Sequence, residues 1–172
     1  MFELIAPDVR LHAAWLESHA EWGPGMHEDG FGLQQSDVVE SAEGFAAWVR
    51  RLLDAAKPAA ETGHAGCTFR WIVEGDRVLG GIALRHGLDA YVRRFGHIGY
   101  GVRPSARRRG VATWALATIL DEARVLKLDR VLLVCAADNI ASAHTIERLD
   151  GVLEGIEGTE LGRARRYWIE LN

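Results

Sequence analysis

Apolar residues in the first third of the chain recur at helical spacing, at Leu11, Trp15 and Leu16 and again at Phe45, Trp48, Val49 and Leu52. Ser41, followed by Ala42, Glu43 and Gly44, supplies a start for the second predicted helix. Between the two stripes the stretch WGPGMHEDGFG, rich in glycine and polar residues, predicts a mobile loop, and a second loop falls at residues 57–66. At Cys67 the pattern changes. Residues 68–74 and 77–85 are apolar runs around a Gly75-Asp76 turn, a hairpin signal, and residues 97–102 read as a further strand. Residues 111–128 carry a helical stripe of Ala112, Leu116, Ile119, Leu120 and Ala123. The run VLLVC at 131–135 has no polar interruption, as in a strand buried on both faces. Ile140, Ala143, Ile146 and Leu149 give one more helix, and Leu153 with residues 166–171 suggests closing strands. The predicted order is two helices, three strands, a helix, a strand, a helix and one or two strands. It describes an α/β (mixed α+β) fold with a strand-helix-strand unit inside a mixed sheet. No repeat or low-complexity segment divides the 172 residues, which suit a single domain.

Composition narrows the class. Apolar residues make up 48% and charged residues 26%, as in a soluble globular protein. No apolar run reaches the roughly 18 residues of a membrane-spanning helix, and the N-terminus lacks the basic-then-apolar pattern of a signal peptide. Cys67 and Cys135 stand far apart, with no CxxC and no histidine cluster at metal-ligand spacing. A disulfide framework and a metal site are therefore not expected, and the reducing cytoplasm is the expected compartment. The net charge of −4 is unevenly divided: residues 1–66 hold 11 acidic against 4 basic side chains, the remainder 13 against 16. Either both parts are solvated faces, or the first attracts a cation and the second an anion.

One segment carries chemistry. After the strand ending at Val102 comes the turn Arg103-Pro104-Ser105-Ala106. Arg107, Arg108, Arg109, Gly110, Val111, Ala112 and Thr113 follow, where a long helix begins. The first N–H groups of a helix have no partner within it and lie at its positive end, which makes an anion site. Gly110 and Ala112 are small enough for a pyrophosphate to reach the main chain, and three arginines add charge beside it. The Walker pattern is absent. Gly96, Gly99 and Gly101 lie within a strand, not at a strand-to-helix turn, so they form no Rossmann fingerprint. What fits is Gln/Arg-x-x-Gly-x-Gly/Ala at Arg107, Gly110 and Ala112. Here the sequence resembles the GNAT superfamily of acyl-CoA N-acetyltransferases. Asp138-Asn139-Ile140-Ala141-Ser142, followed by Glu147-Arg148-Leu149-Asp150-Gly151, resembles the family's second landmark: an Asn opening a helix, a small residue three later, then Glu-Lys/Arg-x-x-Gly. From about Phe69 to the C-terminus the chain is similar to a group usually described as predicted acetyltransferases.

The resemblance implies acetyl-CoA as co-substrate, no metal, and direct transfer in a ternary complex to a primary amine, either of a small molecule or of a protein N-terminus or Lys. It implies a GNAT fold with a central, mostly antiparallel mixed sheet whose splayed strand pair admits pantetheine. Residues 1–66 become a helical acceptor-side part and 67–172 the acyl-CoA-binding core. Cofactor contacts are implied at 107–113, at Tyr100, Gly101 or Val102 for the acetyl oxygen, and at Asn139 and Ser142 for the pantetheine arm. Gly99 and Gly101 flank Tyr100, and glycines inside a strand mark close backbone approach. Many relatives use a Glu on this strand as base. Here the strand opens with Gly96-His97, so His97 is the first candidate, His86 the second, and Glu28 or Asp29 the third. The Tyr that many relatives carry seven residues after the motif Asn is Ile146 in this chain. Ser142, Tyr100 or Tyr167 takes its place, or the thiolate leaves into water; ribosomal-protein N-terminal acetyltransferases resemble this chain in lacking that Tyr. Trp71, Arg85, His86, Tyr91 and Glu28 are candidate acceptor contacts, and the acidic first part suits a protonated amine. Purely structural roles stay open for the histidines and for Asn139 as a helix cap, and Cys135 reads as a core thiol. Family members often pair through their C-terminal strands, so a homodimer is among the implied assemblies. A nucleic-acid surface is not expected, because the net charge is negative and no aromatics interleave the arginines. The two departures from the family pattern leave a non-catalytic acyl-CoA sensor as the alternative.

Overall fold

The computed structural model describes residues 1–23, 29–57 and 65–172. The stretch at 24–28, and with it Glu28 and the middle of the predicted first loop, lies outside the described residues, as do 58–64. The chain opens with β1 (Phe2–Ile5), which the helical stripe of the first part hid. It forms because β2 (Cys67–Glu74) offers it an edge, pairing Phe2 with Glu74 and Ile5 with Trp71. A short 3₁₀ turn capped by Asp8 leads into α1 (His12–Trp22). Helix α2 (Ala42–Asp54) starts where predicted, with the Ser41 hydroxyl accepting from the Gly44 N–H at 3.0 Å, and buries Phe45, Trp48, Val49 and Leu52.

Strand β2 turns at Gly75 into β3 (Arg77–Arg85). A helix the sequence did not announce, α3 (Ala90–Phe95), follows; the Asp89 carboxylate caps it by accepting from Val92 N–H at 2.9 Å. Then come β4 (Ile98–Val102), α4 (Val111–Val125), β5 (Arg130–Ala136), α5 (Ile140–Glu147), β6 (Val152–Thr159) and β7 (Gly162–Glu170). The strands form two sheets, ordered β1-β2-β3-β4 and β5-β7-β6, and every named pairing is antiparallel.

Two apolar layers flank this surface. Helices α4 and α5 cover one face with Ala115, Leu116, Ile119 and Ile146 against Ile82, Leu84, Ile98 and Leu133. Helices α1 and α2 cover β2 and β3 on the other with an aromatic cluster of Trp15, Phe31, Phe45, Trp48 and Trp71. Among the described residues no helix is long and apolar enough to cross a membrane.

Candidate active site

The two sheets meet between β4 and β5, and among the described residues their main-chain hydrogen bonds fall at the start of β4. There Gly96 bridges to Leu133, the His97 N–H donates to the Leu132 carbonyl at 2.6 Å, and the Leu132 N–H donates to His97 Nδ1 at 2.8 Å. Beyond this point the strands part. Backbone groups alternate direction along a strand. The carbonyl of His97 accepts from Arg85 N–H and the N–H of Arg103 donates to the Leu79 carbonyl, so odd-numbered residues of β4 face β3. The backbone groups of Tyr100 and Val102 therefore face the gap. Polar main-chain groups inside a protein need partners; the Val102 carbonyl finds one in the Arg107 Nε, at 2.9 Å. The gap widens into a cleft of about 1250 Å³ lined by both strands and by the starts of α4 and α5.

At the mouth of the cleft lies the predicted anion turn. Gly110 adopts φ +77°, the left-handed region that favours glycine, and precedes α4, whose N-terminus has no side-chain cap. The first intrahelical bond is Trp114 N–H to the Gly110 carbonyl, so the amides of Val111, Ala112 and Thr113 are left for a ligand. Arg107, Arg108, Gly110, Val111, Ala112 and Thr113 all line the cleft. Arg109 does not: its guanidinium makes a two-pronged ion pair with Glu74, at 2.9 and 3.0 Å, and lies over the Phe2 ring. Arg107 lies over the Trp22 ring at 5.2 Å. What braces the turn from behind leaves no local sign in the sequence. Arg103, 1% exposed, donates to Glu21, to Glu17 at 2.8 Å and to the Val78 carbonyl at 3.2 Å. Glu21 also accepts from the N–H and hydroxyl of Ser105, and the Arg103 guanidinium pulls its carboxyl down to about 2.

Deeper in the cleft the Tyr100 and Ser142 hydroxyls are 2.8 Å apart. Burial pushes the Tyr100 phenol up to about 12, so it remains protonated. Asn139 caps α5, its side-chain oxygen accepting from Ser142 N–H at 3.1 Å, and it also lines the cleft. Cap and ligand contact are thus compatible for this residue. Cys135, expected in the core, is half-buried and lines the cleft beside this pair, with burial holding the thiol protonated.

Several expected residues stand elsewhere. His97 is buried in the apex, where its Nδ1 serves Leu132; burial pushes it down to about 4, so it is neutral and its role is structural. His86 hydrogen-bonds Thr68 Oγ1 at 2.7 Å at the far end of β2 and β3, outside the cleft lining. Trp71 is fully buried in the aromatic cluster, stacked on Trp48 at 5.7 Å. Tyr167 is buried, and its hydroxyl donates at 2.8 Å to Glu147, an exposed residue outside the cleft lining. Arg85, Tyr91 and Asp29 do line the cleft, and Asp29 is the single carboxylate among the described lining residues.

Residues 29–152 match the family described as the acetyltransferase (GNAT) domain. The chain belongs to the GNAT acetyltransferase family. The GNAT fold is shared by solved structures of low sequence identity. One is an acetyltransferase from Salmonella typhimurium that modifies the N-terminal serine of a 50S ribosomal subunit protein. It has 17% identity and a TM-score of 0.70, over 99% of this chain and 95% of that one. Another is a microcin self-immunity acetyltransferase in complex with acetyl-CoA and AMP, with 13% identity and a TM-score of 0.68, over 98% and 92%. A third is a spermidine N-acetyltransferase chimera built in part from Vibrio cholerae sequence, with 17% identity and a TM-score of 0.67, over 99% of this chain and 95% of that one. No curated protein matches the chain.

Proposed function

We propose that this GNAT domain transfers the acetyl group of acetyl-CoA to a primary amine by direct attack in a ternary complex. The observation that carries this reading is the gap itself: backbone edges of Tyr100 and Val102 open to a cleft that runs directly into an uncapped helix N-terminus flanked by Arg107 and Arg108. An amide-containing chain ending in a pyrophosphate is the ligand with the matching order of groups. Acetyl-CoA has that order, and a carbonyl beside the β4 backbone would be polarised by its N–H groups.

The acceptor amine attacks the thioester carbon, the C–N bond forms, and the C–S bond breaks. Asp29, the cleft-lining carboxylate, takes the proton released by the amine, in the role first considered for His97. The protonated Tyr100 phenol, positioned by Ser142, donates a hydrogen bond to the departing thiolate, which takes its proton from solvent. Titration calorimetry with acetyl-CoA, run beside amine-dependent thiol release, tests the reading. Binding and amine-dependent release are expected; a protein that does not bind acetyl-CoA would overturn it. Asp29→Asn should lower kcat by about 100-fold or more, the usual size of a general-base contribution, with acetyl-CoA affinity retained.

A further inference from the structure

The charged residues lining the cleft are Arg85, Arg94, Arg107, Arg108, Arg148 and Arg163 against Asp29 alone, among the described residues. Arg107 and Arg108 belong to the turn before α4. Arg85 does not. In the β3–β4 register Ala83 pairs with Gly99, and Arg85 is two residues on, so its side chain shares the Gly99 face, opposite α4 and α5. Among the described residues a Cβ added at Gly99 would meet only the Arg85 guanidinium, at 3.7 and 3.8 Å. The missing side chain of Gly99 thus leaves open floor, and Arg85 borders it.

Two contacts fix this guanidinium without neutralising it. Nη1 donates to the Gly96 carbonyl at 2.9 Å, and the group lies over the Tyr91 ring at 5.0 Å. No carboxylate among the described residues pairs with it. Nη2 and Nε remain, the fork that takes a carboxylate through two parallel bonds. A half-buried cation held this way is poorly solvated until an anion meets it. Farther along the same face, about 7 Å on by strand rise, Gly101 lies against Trp22 and the Asp29 backbone. Tyr91 and Phe95, with ring centroids 4.6 Å apart, wall the Arg85 end.

We infer that the acceptor is a primary amine that also bears a carboxylate, with Arg85 holding the carboxylate over Gly99 and the amine directed toward Gly101 and Asp29. The inference rests on the acetyl-transfer reading above and deepens it. It adds a carboxylate to the amine expected from the acidic first part. Three of those acids have arginine partners: Asp37 pairs with Arg51, and Glu17 and Glu21 with Arg103.

The test compares thiol release from acetyl-CoA with L-phenylalanine, L-phenylalaninamide and 2-phenylethylamine, and with the corresponding glutamate and dipeptide series. Wild type, Arg85→Gln and Arg85→Lys are measured side by side. Wild type should prefer the free acid over its amide by about tenfold or more in kcat/KM. Arg85→Gln should collapse that ratio toward unity by raising KM for the acid, Arg85→Lys should restore part of it, and KM for acetyl-CoA should stay put. Binding of N-acetyl-L-phenylalanine to the CoA-loaded protein, lost in Arg85→Gln, gives a second readout free of turnover. Equal use of acid and amide, a preference that survives Arg85→Gln, or no carboxylate-dependent binding or turnover in a protein that does bind acetyl-CoA each overturns the inference. Failure to bind acetyl-CoA at all would instead bring down the acetyl-transfer reading.

Discussion

Tyr100 combines a backbone edge on the gap with a hydroxyl 2.8 Å from Ser142, deep in the cleft. Replacing it with Phe removes the hydroxyl and keeps the ring. Hydrogen bonds to charged groups are worth about 2 kcal/mol, so kcat should fall about 30-fold while the Kd for acetyl-CoA holds. With its phenol pushed up to about 12, Tyr100 should contribute no loss of activity below about pH 11 in a wild-type pH–rate profile. The sequence could name Tyr100, Ser142 and Asn139 because the two family landmarks index them. His97 shows where such indexing stops. Its position at the start of β4 was correct, but the strand kinks at Gly96 there and turns the ring onto the Leu132 N–H. Arg109 is similar: one residue from two cleft-lining arginines, it is drawn off by Glu74, 35 positions away in the chain. Long-range partners of this kind leave no local trace.

At the scale of elements, the start of α4 was legible and its end was not. The helix was expected to run to 128 and stops at Val125, with Lys127 at φ +60° in the position where glycine is usual. Strand β1 and helix α3 were missed because four and six residues give too little periodicity to rise above their surroundings. The uncapped N-terminus of α4 suggests a sharp experiment. Arg107→Glu combined with Gly110→Asp places two carboxylates where the phosphates would lie. A carboxylate at a helix N-terminus favours the helix, and this offsets the strain of a side chain at φ +77°. Acetyl-CoA affinity should fall by at least about 100-fold, while Tm moves by only a few degrees.

For the whole molecule, the brace of Glu17, Glu21 and Arg103 ties α1 to the turn that carries Arg107. Glu21→Gln should cost about 2 kcal/mol, read as a shift of the urea midpoint, because it leaves a buried guanidinium short of a partner. Acid should act in the same direction in two windows. His97, depressed to about 4, stabilises the fold fully above about 6.5 and loses that contribution as pH falls toward 4. Glu21, depressed to about 2, does the same between about 4.5 and 2, and Glu21→Gln should flatten that second window. Charge balance read along the sequence counts Glu17 and Glu21 as free acids, because their partner Arg103 lies more than 80 positions away.

The sheets touch at the Gly96–Leu133 and His97–Leu132 contacts and then part, which leaves a ladder with its upper rungs missing. A guest bearing amides can stand in for those rungs. Loading would then join two separately breathing halves into one cooperative block, and deuterium uptake at the outer ends of β4 and β5 would slow together.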